Sequence, residues 1–164
     1  MTDPIRPTDD DARALARRLM TEARHGALGV LDPASGAPLV SRVAVGHDGA
    51  APLLLVSTLS QHTRALQADA RCSLLLGEPG ARGDPLTHAR LTIQGRGDTV
   101  NKAAGRAAWL AQHPKATLYI DFADFLLIRI SVTGAFLNGG FGRAFQLVAA
   151  DLVSPASRPD SPHP

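Results

Sequence analysis

A chain of 164 residues with 45% hydrophobic and 20% charged side chains has the balance of one globular domain. A formal net charge of +2, on arginines scattered without a basic block laced with aromatics, argues against nucleic acid as the main partner. No apolar stretch approaches the about 20 residues that span a bilayer, no apolar run follows basic residues at the N-terminus, and the single Cys72 excludes an internal disulfide framework. The expectation is a soluble cytoplasmic protein with no membrane partner.

Thr8 followed by Asp9, Asp10 and Asp11 reads as a helix start, with a capping hydroxyl and acids against the positive helix end. Ala12, Leu15, Ala16, Leu19 and Ala23 share one face, so the helix runs to about Arg24, where Gly26 can terminate it. From Ala27 the pattern changes to short apolar runs between turn signals: Ala27 to Leu31, a turn over 32–36, Pro38 to Val45, and a turn over 47–49. In the second run Val43 and Val45 share a face, whereas Arg42 and Ala44 take the other. Arg42 either serves a site or is merely solvated.

Pro52 to Val56 reads as a buried strand that ends in Ser57 and Thr58, and Ser60 is an N-cap for a short helix carrying His62, Thr63 and Arg64. The backbone N–H groups of such a helix start, the forked cation of Arg64 and the hydroxyls of Thr63 and Ser57 are suited to gripping a phosphate. The competing reading is an ordinary capped helix. Cys72 to Gly77 is a further strand, with Cys72 as an inert core thiol, and 78–85 is a loop.

From Thr87 to Asp98 strand character returns. His88, Arg90, Thr92 and Gln94 alternate with Ala89, Leu91, Ile93 and Gly95, so the polar row either lines a site or faces water. Lys102 to Gln112 is a helix in which Trp109 packs, Phe125 to Val132 a long strand, and Gly134 to Leu137 the start of the last one. In Asn138 to Ala144 three glycines surround Phe141 and Arg143; the loop either approaches a planar ligand or is a tight connection. Residues 1–153 form one domain, and 154–164, rich in Pro and Ser, are expected to be disordered. Some six short strands with flanking helices fit a mainly β, closed antiparallel barrel.

Other chemistries find no support. The six histidines are dispersed without metal-ligand spacing, no serine sits in a nucleophile elbow, and neither glycine-rich segment follows the strand-to-helix order of a dinucleotide fold. No metal site is expected.

Five segments in order carry a resemblance: 36–41, Ser57 to Leu66, Ala70 to Leu75, Ala89 to Gly95, and Gly139 to Ala144. Together they resemble the pyridoxamine-phosphate-oxidase-like, FMN-binding split barrels, and within them the haem-utilisation-like branch. The resemblance covers most of Ala27 to Leu152. It implies a six-stranded antiparallel split barrel that forms a homodimer, with two FMN clefts at the interface. Carried over, Ser41, Arg42 and Val43 would lie beneath the isoalloxazine, Ser57 and Thr58 beside it, and His62, Thr63 and Arg64 on the phosphate. Arg90 would contact flavin from the other subunit, and the loop of Phe141 to Arg143 would close over the cleft.

The implied activity is oxidoreduction of a small substrate through flavin N5, with no catalytic acid or base to name. Two departures from the pattern bear on this. The basic C-terminal segment of true pyridoxamine phosphate oxidases is replaced by Ser154-Pro155-Ala156-Ser157-Arg158-Pro159, which argues against vitamin B6 oxidation. Haem-degrading relatives use a C-terminal histidine on iron, and the late histidine here is His163 in the tail. A haem-binding protein and a non-catalytic dimeric binding module are the alternatives.

Overall fold

The computed structural model describes residues 4–154; His163 and the rest of the Pro/Ser-rich tail from 155 lie outside the described residues. Eight strands are present: β1 (Ile5–Arg6), β2 (His25–Leu31), β3 (Pro38–His47), β4 (Pro52–Ser57), β5 (Arg71–Leu76), β6 (Arg90–Val100), β7 (Phe125–Asn138) and β8 (Ala144–Leu147). The helices are α1 (Asp10–Glu22), α2 (Gln61–Ala68), α3 (Lys102–Gln112) and α4 (Ala149–Leu152), with single 3₁₀ turns at Pro85–Thr87 and Pro114–Leu118.

The order β7-β4-β3-β2-β5-β6 closes through a β6–β7 ladder, and every pairing around this ring is antiparallel. This is the expected six-stranded barrel. Closure removes the unpaired edges that an open sheet would expose. Two short strands are additional: β8 pairs with the end of β7, and β1 runs parallel to β8.

Three local expectations are corrected. Asp9, not Thr8, caps α1: its carboxylate accepts the Ala12 N–H at 2.7 Å, while the Thr8 hydroxyl donates to the Gln146 carbonyl at 2.8 Å and ties the helix start to β8. Gly26 is a strand residue of β2 and does not stop α1, which ends at Glu22. A Cβ there would come within 2.8 Å of the Leu75 carbonyl oxygen, so the glycine permits close packing on β5. β7 is one continuous strand, unbroken at Gly134, because both β6 and β8 pair along its second half.

The core has two parts. Leu28, Val30, Val43, Val45, Leu54, Val56, Leu74, Leu91 and Ile93 fill the barrel, and Ala12, Ala16 and Met20 of α1 join them. Leu53 and Leu55 point the other way, into a second cluster with Trp109, Ala116, Ile120 and Leu127. β4 is thus an apolar run because both of its faces are covered. Trp109 packs as expected, stacked on His113 at 4.5 Å.

The barrel wall is split where β3 runs past β4. The β3–β4 ladder holds only Val45↔Leu54, Gly46↔Leu53 and His47↔Pro52. Beyond it, among the described residues, β3 pairs with β2 alone and β4 with β7 alone. α2, the helix that follows β4, packs against β2 and β3.

Candidate functional site

The start of α2 lies beside this split. Ser60 is its N-cap residue in extended conformation, as expected, but its side chain makes no capping hydrogen bond. The carbonyl of Ser60 accepts the Arg64 N–H at 3.2 Å, so the helix begins properly while its first-turn donors lack a side-chain acceptor. His62 Nδ1 lies 3.0 Å from Ser41 Oγ on β3. This contact joins two residues that the sequence separates by a strand, a turn and another strand. Burial pushes the His62 imidazole below its ordinary value, which favours the neutral ring.

Arg64 is exposed and lines a cavity of about 310 Å³ with Gln61, Asp32, Pro38 and Leu39. The Asp32 carboxyl on the same rim is held below its usual range by the Ser35 hydroxyl and the Ala34 N–H. Thr63 is turned the other way. Its side chain is fully buried, and its hydroxyl has no hydrogen-bond partner. The expected surface hydroxyl is therefore absent from the face that carries Arg64, and Thr63 offers that face its backbone alone.

Ser57 and Thr58 hold the turn between β4 and α2. The Ser57 hydroxyl donates to Asp124 Oδ2 at 2.8 Å and accepts the Leu59 N–H at 3.2 Å, while the Thr58 N–H donates to the Asp124 carbonyl at 2.7 Å. Asp124, which the sequence does not flag, is the anchor of this turn. Val43 faces the barrel interior, whereas Arg42 is exposed on the outer face of β3.

Arg42 lines a second cavity, of about 200 Å³, with His25, Ala27, Leu75, Gly77 and Glu78. Arg90 lies on the outward row of β6, where Leu91 and Ile93 are buried and Thr92 and Gln94 are not, so the polar row follows the expected alternation. Its guanidinium donates to the carbonyls of Leu86 (2.8 Å) and His88 (3.3 Å), fixing the loop before β6. Arg90 pairs with Asn138, which places it by the glycine loop. That loop is a tight connection between β7 and β8, closed by Gly139 N–H to Arg143 carbonyl (2.8 Å) and Arg143 N–H to Gly140 carbonyl (3.1 Å). Gly140 (φ +113°) and Gly142 (φ +68°) supply its left-handed positions. Phe141 at the tip is 97% exposed.

One chain thus assembles only part of the set. Ser41 and His62 meet at the start of α2 and Arg64 lines the neighbouring cavity, whereas Arg42 faces the outer groove, and Arg90, Phe141 and Arg143 lie at the β7–β8 loop. The sequence reading also misses His25, whose Nε2 sits 3.7 Å from Glu78 Oε2; only its place opposite Ala44 on β2, two residues from the partner of Arg42, brings it into the groove. Among the described residues no group of three or more His, Cys, Asp or Glu side chains is placed to hold a metal ion. The half-buried Cys72 thiol is pushed up to about 11, chiefly by burial.

Comparison with known proteins gives the lineage. A family model described as "CREG, beta-barrel" matches residues 7–153. The protein named "Non-canonical heme oxygenase HOZ, chloroplastic" from Arabidopsis thaliana is 36% identical over 128 residues, covering 68% of this chain; the chain spans 38% of that relative's length. A solved heme binding protein from Mycobacterium smegmatis is 34% identical with a TM-score of 0.80, over 90% of this chain and 61% of its own. A Clostridium acetobutylicum protein of the pyridoxinephosphate oxidase family, related to general stress protein 26, shares the fold at a TM-score of 0.67 and 15% identity, over 88% of this chain and 99% of its own. With its family match running through the whole barrel, the chain belongs to the CREG β-barrel family and shares its split-barrel fold with that pyridoxinephosphate oxidase family protein.

Proposed function

We propose that this chain is a cytoplasmic, homodimeric FMN-binding oxidoreductase whose cofactor phosphate sits at the start of α2. The observation that carries the reading is the contact of His62 with Ser41 beside a helix start that has no side-chain cap. This donor set fits a phosphate. Backbone N–H groups of the first turn and the positive helix end attract an anion, Arg64 adds a forked cation, and Ser41 orients the imidazole so that His62 Nε2 faces a ligand. Thr63 contributes to such a site through its N–H, since its side chain is buried.

The flavin, when bound, supplies the hydride and electron chemistry at its ring. The protein's part is binding and electrostatics. The stretch of β3 around Leu39 to Ala44, unpaired on its β4 side, offers backbone donors and acceptors at the split. Arg90 offers a cation that stabilises negative charge on a reduced ring. Arg90, Phe141 and Arg143 complete the cleft from the second copy, which accounts for their separation from α2 within one chain.

Haem is the second reading, favoured by the printed names of the two relatives at 36% and 34% identity. Titrating purified protein with FMN and with haemin separates the two. Arg64→Ala should weaken FMN binding about 10- to 100-fold, the scale of a lost charge-assisted contact. Unchanged flavin affinity contradicts the phosphate assignment, and a saturable Soret shift without flavin binding favours haem. FMN that binds but is reduced by no nicotinamide donor points to a non-catalytic module.

A further inference from the structure

Away from the start of α2, a groove lies at the His25 end of β2. Two adjoining cavities, of about 400 and 200 Å³, share His25, Gly77 and Glu78. The larger is walled by Leu19, Glu22 and Ala23 at the end of α1, the smaller by Ala27, Leu75 and Pro79, with Arg42 at its floor. The pairs His25↔Ala44 and Ala27↔Arg42 put His25 and Arg42 on the same outer face as diagonal neighbours across the β2–β3 ladder. Gly77, which both cavities share, follows β5 at φ +105°, and a Cβ there would come within 2.6 Å of the Ala89 carbonyl oxygen, so the groove wall turns on a position that takes glycine.

The charges are unequally used. His25 pairs with Glu78 at 3.7 Å, and Arg24 donates to the carbonyls of Thr21 and Ala23. Arg42 has no acidic partner among the described residues. Glu22 and Glu78 oppose a second negative charge in the groove, and the leucine, alanine and proline walls favour an apolar body.

We propose that this groove is the substrate site of the barrel, taking a small monocarboxylate with an aromatic or aliphatic body: the carboxylate on Arg42, a polar atom on His25, with Glu78 orienting the imidazole. The assignment deepens the flavin reading by naming its substrate class, and it rests on that reading for the word substrate alone. Binding is measurable without flavin. Arg42 and His25 are the contact residues, and Glu78 is a positioning residue.

The test is an ¹H–¹⁵N NMR titration of the full chain with benzoate. Saturable shifts at His25, Gly77 and Glu78 are expected, with about tenfold or greater weakening in Arg42→Ala, partial retention in Arg42→Lys, and no change in Arg64→Ala. In Glu78→Gln the affinity should fall severalfold while the His25 ring signals lose their single conformation. No saturable shift, shifts centred elsewhere, or equal affinity in Arg42→Ala overturns the proposal. Because Arg64→Ala reports on the phosphate site and Arg42→Ala on the groove, either reading can fail without the other.

Discussion

Gly26→Ala is the sharpest test of the packing argument. Its backbone is ordinary extended strand, so alanine meets no dihedral penalty, and the whole effect comes from space. The new methyl would sit 2.8 Å from both the Leu75 carbonyl oxygen and Leu76 Cδ2, about 0.6 Å inside the 3.4 Å at which ordinary contact begins. The Leu76 side chain can rotate, but the carbonyl belongs to β5 backbone and moves only with its strand. Overpacking of this kind costs about 1–3 kcal/mol. Loss of glycine's freedom in the unfolded chain returns about 0.4–1 kcal/mol. A net loss of about 1–2 kcal/mol lowers Tm by roughly 2–8 °C for a chain of this size. The control is Gly29→Ala on the same strand, where the nearest neighbour, the Ser73 carbonyl oxygen, is 3.6 Å away. Urea denaturation of both variants should show Gly26→Ala destabilised and Gly29→Ala as stable as the parent or more stable by up to about 1 kcal/mol. Equal stability of the two variants would refute the reasoning.

Three further outcomes follow from buried and paired groups. Cys72, half-buried and pushed up to about 11, should react with a thiol reagent slowly in the folded protein and fully in urea at pH 8; rapid reaction of the native thiol contradicts the upward shift. Because burial lowers the His62 pKa in the folded state, its stability contribution is intact above the unfolded value and declines as pH falls below about 6.5. An imidazole NMR titration should place its midpoint below that of a free histidine, and phosphate binding should move it upward. Burial raises the Asp151 carboxyl, but hydrogen bonds from Arg13 and the Val148 N–H outweigh it and leave the pKa lowered. Its stabilisation of the α1–α4 contact is present above the usual carboxylate range and is lost as pH falls through and below it; in Asp151→Asn, stability should fall less steeply between pH 5 and 3.

The barrel was legible wherever a residue's own chemistry sets its place. The alternation of Arg90 to Gly95 reads directly as buried and outward rows, and the helix expected over Lys102 to Gln112 is α3, with Trp109 buried. What failed depends on partners remote in sequence. β1 is two residues long and exists only by pairing with β8, so no local pattern marks it. Gly134 resembles a break until its ladder partner Gln94 is known.

At the site, the helix start at Ser60 was legible, whereas the contact of His62 with Ser41 needed the barrel to close. The inward turn of Thr63 had a usable signal: it lies three residues before Leu66 and shares that buried stripe. Ser57 reads as a ligand hydroxyl because nothing local reveals Asp124, which takes its proton in a hydrogen bond.

The most direct test of the central claim is an absorption titration of the purified chain with FMN, read alongside its mass in solution. Saturable binding of one flavin per chain, with a dimer mass and with affinity reduced in Arg64→Ala, is the predicted result. A folded protein that takes up no FMN, or that binds it equally well without Arg64, contradicts the account and leaves the start of α2 as an ordinary helix end.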